Sequence, residues 1–387
     1  MPWQKHLIMN LREEFVLRAN APGSNLSELC REYEIARKTG YKWLARYAAG
    51  GLLALADVSR RPRRIAAVSG EVVMRLVELR EAHPKWGPKK LHVLLLRELP
   101  KTQVPSVRTL ARILDRLGVP RLRRVRKSST ETRLKPAIDA KLPNQSWTVD
   151  FKGWWQTKDS KRCDPLTIRD ACSRYILRLE LMTTTKTDDV KRVFVRVFEK
   201  YGLPGIIHVD NGAPFGSTRS RLGLSRLSVW WTALGIHVSF SRPATPADNG
   251  AHERMHRDIS VELQASPAAH LKAQQRECDT WVQDFNHVRP HEALAMKTPA
   301  SKYKRSKRPY REVVAPRYSI KCDVRAVRHN GSVRYRDREI FVGTAYAGYR
   351  VGIEVVDSKN VRIHFYKRDL GVFDLANAAR NPRKKCV

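Results

Sequence analysis

Acidic side chains are scarce in this 387-residue chain: 38 Asp and Glu stand against 74 Lys and Arg, a formal net charge of +36. Solubility needs far less, so the excess points to a polyanionic partner, with nucleic acid first and an acidic membrane surface as its rival. Long apolar runs are also missing. No segment approaches the roughly 18 apolar residues of a spanning helix, and the start MPWQKHLIMNLREEF lacks the apolar core of a signal peptide. The expectation is an intracellular, cytoplasmic protein with no membrane partner. Cysteine is sparse: Cys30, Cys163, Cys172, Cys278, Cys322 and Cys386 are scattered, with no C-x-x-C pair and no Cys/His spacing suited to structural zinc. They read as ordinary thiols of a reducing compartment.

The length allows two to four domains, each with its own core. Residues 1–57 carry short helical patterns, the last two being NLSELCREY and ARKTGYKWLARY, joined by a tight turn at Glu34 and Ile35. This is helix-turn-helix spacing. Leu26, Leu29 and Cys30 would face Ile35, Leu44 and Tyr47, leaving Arg37, Lys38, Lys42 and Arg46 for the major groove. Ala36 stands where a Ser or Thr cap is expected and Gly40 sits inside the helix, each costing about 1 kcal/mol. A solvated basic helix pair is the alternative.

Residues 66–120 repeat the theme. WGPKKLHVLLLREL and PSVRTLARILDRLGV form a second helix pair, with Ser106 as cap, Leu110, Ile113, Leu114 and Leu117 at helical spacing, and Gly118 at the end. Its candidate DNA contacts are Lys89, Lys90, Arg108 and Arg112. The basic stretch at 121–140 reads as a linker that would lay Arg123, Arg124 and Arg126 along phosphates.

From 141 to 304 strands and helices alternate. QSWTVDFKGWW, two strands within DPLTIRDACSRYILRLELM, the amphipathic DDVKRVFVRVFEKYG, then GIIHVD, a helix through Trp230 and Trp231, HVSFS and a last helix give β-β-β-α-β-α-β-α. A mixed sheet covered by helices follows, an α/β domain. Residues 315–376 are strand-like, with Asn330-Gly331 as a type I′ hairpin signal, and predict a small β-barrel. Residues 377–387 form a basic tail. The fold class is therefore multidomain α+β.

Two carboxylates sit where charge is unexpected. Asp150 interrupts an apolar strand between Val149 and Phe151, and Asp210 follows GIIHV at a strand's carboxyl end, where α/β folds hold ligands. Asp170 reads as a turn residue. In PATPADNGAHERMHRDI, residues 243–259, Met255, Ile259 and Leu263 make an apolar stripe, Asp248 suits a turn or cap, and Asp258 has no evident partner. Glu253 lies off that stripe, either as a solvated residue pairing with Arg257 or as a third acidic ligand. Two carboxylates about 4 Å apart repel by about 4 kcal/mol at an effective dielectric near 20, so a cluster of three needs a cation. Magnesium takes such oxygen ligands and substrate phosphates. In a basic chain with two helix-turn-helix patterns, this suggests two-metal phosphodiester chemistry on DNA.

Asp150 in SWTVDFKG, Asp210 in IIHVDNGAPF, Glu253 in NGAHERMHRDI and the closing segment FNHVRPHEALAMKTPASKY resemble the DDE transposases of bacterial insertion sequences, in the retroviral integrase superfamily. The resemblance implies a ribonuclease H-like core at 141–304 and an enzyme that binds the ends of its element, cuts there and transfers the strands into target DNA. It implies Asp150, Asp210 and Glu253 as catalytic metal ligands for two Mg2+ ions, with Mn2+ as a substitute. One ion would lie between Asp150 and Asp210, the other between Asp150 and Glu253. It also implies a homo-oligomeric synaptic complex on double-stranded DNA, in the bacterial cytoplasm at the nucleoid. Arg254, His256 and Arg257 would steer phosphates, with core packing as the alternative for His256. Asn211 and Asn249 would hold scissile phosphates or make turns; Arg289 and His291 would contact DNA or hold the closing helix. Lys152 stands where the family pattern has a small hydroxyl residue, and PATPADNG replaces its usual aromatic and histidine. A catalytically inactive or domesticated DNA-binding regulator, and a ribonuclease H-like nuclease that does not join, are the competing functions.

Overall fold

The computed structural model describes residues 5–57, 68–118, 140–242 and 250–380, and the chain divides into two compact units that meet in sequence between Ala67 and Val68. The linker candidates Arg123, Arg124 and Arg126, the Asp248–Asn249 turn and all but the first residues of the basic tail lie outside the described residues.

In the first unit, α1 (Lys5–Ala19), α2 (Leu26–Glu32) and α3 (Arg37–Gly50) enclose Phe15, Val16, Leu29, Cys30, Trp43 and Leu55, with Leu26, Ile35, Leu44 and Tyr47 partly buried around them. Asn25 caps α2 by accepting the Ser27 N–H at 3.0 Å, whereas Ala36 gives α3 no side-chain cap. Gly40 is more than a helix-weakening residue. A Cβ there would lie 2.7 Å from Cys30 Sγ and 3.0 Å from the Phe15 ring, so its small size lets α3 approach its neighbours. Trp43 was not part of the expected core; it is buried and carries the Arg12 guanidinium 4.1 Å from its ring centroid.

The second unit opens with α4 (Gly70–Ala82), α5 (Pro88–Glu98) and α6 (Val107–Arg116), packed through Leu76, Leu79, Trp86, Leu91, Leu94, Leu95, Leu110 and Leu114. Ser106 accepts the Thr109 N–H, but Leu117 is exposed rather than part of the stripe. This helix set packs on the segment that closes the α/β domain: Val288 contributes to its core, and Arg97 Nη1 donates to the Val288 carbonyl at 2.9 Å.

The α/β sheet contains β1 (Ser146–Phe151), β2 (Trp155–Gln156), β3 (Arg162–Asp170), β4 (Ile176–Met182), β5 (Ile206–Val209) and β6 (His237–Phe240). QSWTVDFKGWW is thus two strands, with the chain leaving the ladder after Phe151. β1 pairs antiparallel with β3, and β3 with β4, while β1, β5 and β6 run parallel. The helices α7 (Thr187–Tyr201) and α8 (Arg226–Ala233) share one core with Trp147, Val149, Ile168 and Ile207. Alternation turns the other residues of these strands to the opposite face. There α9 (Gly250–Ile259), its π-helical continuation Ser260–Gln264, and α10 (Leu271–Gln283) bury Met255, Ile259, Leu263, Cys278 and Trp281 against Trp155, Cys163 and Leu179. The predicted stripe of Met255, Ile259 and Leu263 is this contact.

Beyond it, β7 (Cys322–Ala326), β10 (Arg350–Val355), β11 (Asn360–Phe365) and β12 (Arg368–Asp374) form one antiparallel sheet. A second contains β8 (Ser332–Tyr335), β9 (Arg338–Phe341) and β13 (Ala379–Arg380). The two sheets are joined through the Val327–Val333 bridge into one small antiparallel β domain. The Asn330-Gly331 turn is not type I′, which needs positive φ at both central residues; only Gly331 has it, at +81°. Among the described residues no helix is long and apolar enough to cross a membrane.

Candidate active site

The register of β1 against β5 pairs Trp147 with Ile207 and Thr148 with His208. Asp150 lies near the carboxyl end of β1, and Asp210 follows Val209, the last residue of its parallel neighbour β5. Asp150 is half-buried and lies opposite Thr167 in the β1–β3 ladder. Asp210 is exposed, yet the protein around it still desolvates its carboxylate enough to raise its pKa, an effect only partly offset by the Gly212 backbone N–H. Glu253 is exposed in the first turn of α9.

What fastens α9 to the sheet is a pair of histidines one turn apart. His252 is fully buried; its Nε2 lies 2.6 Å from Thr167 Oγ1 and its Nδ1 2.9 Å from Thr148 Oγ1. His256 Nε2 lies 2.9 Å from the same Thr167 oxygen, whose single proton goes to the Asp150 carbonyl at 2.9 Å. With its proton on the Asp150 carbonyl, the Thr167 hydroxyl has two lone pairs for the two rings, an arrangement that assigns the proton of each histidine to Nε2. Burial, helped by the nearby cations Lys152 and Arg169, pushes the His256 pKa down to about 4, and burial puts that of His252 well below its ordinary value.

Among the described residues, Asp150, His252 and His256 are the ligand-type side chains whose donor atoms gather within 4.8 Å of one another. Asp210 and Glu253 do not belong to that group. The two histidines spell H-E-x-x-H with Glu253, a spacing that on other helices holds zinc; here both nitrogens of His252 already hold threonine hydroxyls. Sequence reasoning passed over His252, Thr148 and Thr167, although the i, i+4 histidines were visible as a one-faced pair. Lys152, the departure from the family pattern, is buried; its ammonium donates to Gln264 Oε1 at 2.5 Å and lies over the Trp155 ring, pinning the continuation of α9.

The remaining candidates separate by burial. Arg37, Lys38, Lys42, Arg108, Arg112, Arg254 and Arg257 are exposed, and Arg46 is half-buried beside Trp43. Lys89 is 3.5 Å from Glu292, and Lys90 is half-buried over Trp86. Asn211 donates to the Ser241 carbonyl at 2.9 Å, tying the ends of β5 and β6 together. Of its two readings, Arg289 takes the structural one: it is 1% exposed, pairs with Asp258 at 3.1 Å and with Glu262, and lies among Trp86, Trp281 and Phe285, so it holds the closing segment. Asp258, which looked partnerless, is thereby paired. Asp170 is buried in its turn, accepting from the Asn144 and Ser173 N–H groups at 2.7 Å each.

Comparison with known families places an integrase core domain at residues 140–246 and again at 234–299, a helix-turn-helix domain at 11–63 and a homeodomain-like domain at 39–114. The chain is 25% identical over 252 residues to the 39.2 kDa protein of insertion element IS476 from Xanthomonas euvesicatoria, covering 64% of this chain and 69% of that one. It is 27% identical over 230 residues to the 31.7 kDa protein of insertion element IS407 from Burkholderia multivorans, covering 58% and 78%. Among solved structures, the HTLV-2 integrase catalytic core domain in complex with magnesium aligns with TM-score 0.33 and 18% identity, over 42% of this chain and 98% of that one.

Proposed function

We infer, for a chain that belongs to the integrase-core transposases of insertion elements, that it binds the ends of its own element, cuts the DNA there and joins the freed strands to a target. The observation that carries this reading is the integrase-core match at 140–246 and 234–299, which runs through Asp150, Asp210 and Glu253 and follows helix-turn-helix matches in the preceding helices.

The catalytic role is assigned to Asp150, Asp210 and Glu253. The donor chemistry fits a divalent cation: Asp150 and Asp210 offer hard oxygen ligands at adjacent strand ends, and desolvation of Asp210 disfavours its charge until a cation compensates. Asp150, Asp210 and Glu253 would hold the divalent ions, for which two Mg2+, replaceable by Mn2+, are our assignment. Bound there, the metal supplies Lewis acidity and a water of lowered pKa for phosphodiester attack. The protein's part is positional. Thr167 and the two histidines hold α9, and with it Glu253, against the strand that carries Asp150. Arg254 and Arg257 are assigned to the phosphates, a reading their exposure beside Glu253 supports. Cleavage of the element end by water leaves a 3′ hydroxyl; joining uses that hydroxyl on a target phosphodiester, so no covalent enzyme intermediate is required.

End recognition is assigned to α3, through Arg37, Lys38, Lys42 and Arg46, and to α6, through Arg108 and Arg112. The working form is a homo-oligomer that pairs two ends, in the bacterial cytoplasm at the nucleoid. The deciding experiment incubates the protein with linear DNA bearing candidate element ends, magnesium and a plasmid target. Strand-transfer products support the reading. Cut ends without joined products make the protein a nuclease, and binding without either makes it a regulator.

A further inference from the structure

We propose that His256 is itself a metal ligand, lending the site a nitrogen donor, Nδ1, beside the Asp150 carboxylate; this rests on the metal-dependent reading above. His256 Nε2 is engaged by the Thr167 hydroxyl, and with the Thr167 proton on the Asp150 carbonyl it meets that hydroxyl as an N–H donor. That leaves Nδ1 of the neutral ring as a lone pair. It stands 4.0 Å from Asp150 Oδ2, too far for a hydrogen bond. Two metal bonds of about 2.1 Å span at most about 4.2 Å, so both atoms can reach one ion.

His252 is the contrast. It belongs to the same group of ligand-type atoms, but both of its ring nitrogens are engaged, Nδ1 with the Thr148 hydroxyl and Nε2 with the Thr167 hydroxyl. One helical turn thus separates a histidine that anchors from one that ligates. A nitrogen donor suits Mn2+ better than Mg2+, so His256 biases the site toward manganese.

The test uses the full-length protein and Mn2+ alone, without DNA. Pulsed electron paramagnetic resonance of bound Mn2+ should show imidazole nitrogen coupling. His256→Gln keeps an amide N–H for Thr167 and removes Nδ1; it should abolish that coupling and weaken Mn2+ binding about ten-fold or more. Wild-type protein without nitrogen coupling, or a His256→Gln protein that retains both coupling and affinity, overturns the proposal, and the wild-type spectrum is informative whether or not the variant folds. Asp150→Asn separates the two levels. If it loses Mn2+ while His256→Gln binds normally, only the histidine's role fails; if it binds Mn2+ as well as wild type, the carboxylate metal site fails too.

Discussion

His252 Nε2 lies 2.6 Å from Thr167 Oγ1, and Thr167 is the residue opposite Asp150 in the β1–β3 ladder. One hydroxyl therefore couples the position of α9, with Glu253 on it, to the strand that holds the first acidic residue. Thr167→Val keeps the shape and removes the hydroxyl, leaving two buried ring nitrogens without their partner. Such a loss costs about 1–3 kcal/mol for each buried group. The expected outcome is a lower urea midpoint for the catalytic unit and a fall in strand transfer larger than the fall in end binding; unchanged strand transfer would contradict the coupling.

Asp150→Asn, Asp210→Asn and Glu253→Gln each remove one carboxylate charge with little change of shape. Cleavage and joining should drop below detection in all three, with end binding in a mobility-shift assay nearly intact. Full activity of the Glu253→Gln protein would remove Glu253 from the ligand set.

The two histidines impose an acid limit on stability. Both are held below the ordinary value of 6.5 in the fold, His256 at about 4, because burial disfavours the imidazolium. The unfolded chain takes up protons near the ordinary value and the folded chain does not. Stability is therefore complete above that value and is lost as pH falls toward 4, by about 1–3 kcal/mol for His256. Urea midpoints measured without divalent cations, from about pH 7.5 down to about 4.5, should fall, and His256→Gln should flatten part of the slope.

Arg289→Met leaves Asp258 and Glu262 without their buried cation. Breaking such a pair from one side costs about 3–5 kcal/mol. The catalytic unit should melt markedly earlier, and the paired change Asp258→Asn with Arg289→Met should be less damaging than the two effects added. Additive losses would argue against the pairing.

Gly40→Ala inserts a Cβ 2.7 Å from Cys30 Sγ. Overpacking of this kind costs about 1–3 kcal/mol, more than the helix propensity of alanine returns. Thermal unfolding should show the first unit destabilised and the second unchanged; a stabilised first unit would mean that Cys30 moves aside freely.

Much of this protein was legible because its signals are local. Alternating apolar residues disclosed β1 and β3 to β6, the stripe of Met255, Ile259 and Leu263 disclosed the buried side of α9, and Asp150 stood out as a charge in an apolar strand. What stayed hidden depends on partners far apart in the chain. Arg289 read as a candidate for DNA, since nothing in its neighbours announces burial against Trp86 and Trp281 or pairing with Asp258. Lys89 and Lys90 read as free cations for the same reason.

By itself the sequence determined the order of strands and helices, the basic surface and the acidic residues, because periodicity and charge are properties of neighbouring residues. The tertiary structure decided how two similar histidines differ: both ring nitrogens of His252 meet threonine hydroxyls, whereas Nδ1 of His256 faces the Asp150 carboxylate at 4.0 Å. That difference exists only once α9 packs on the sheet, where Thr167 and His256 meet.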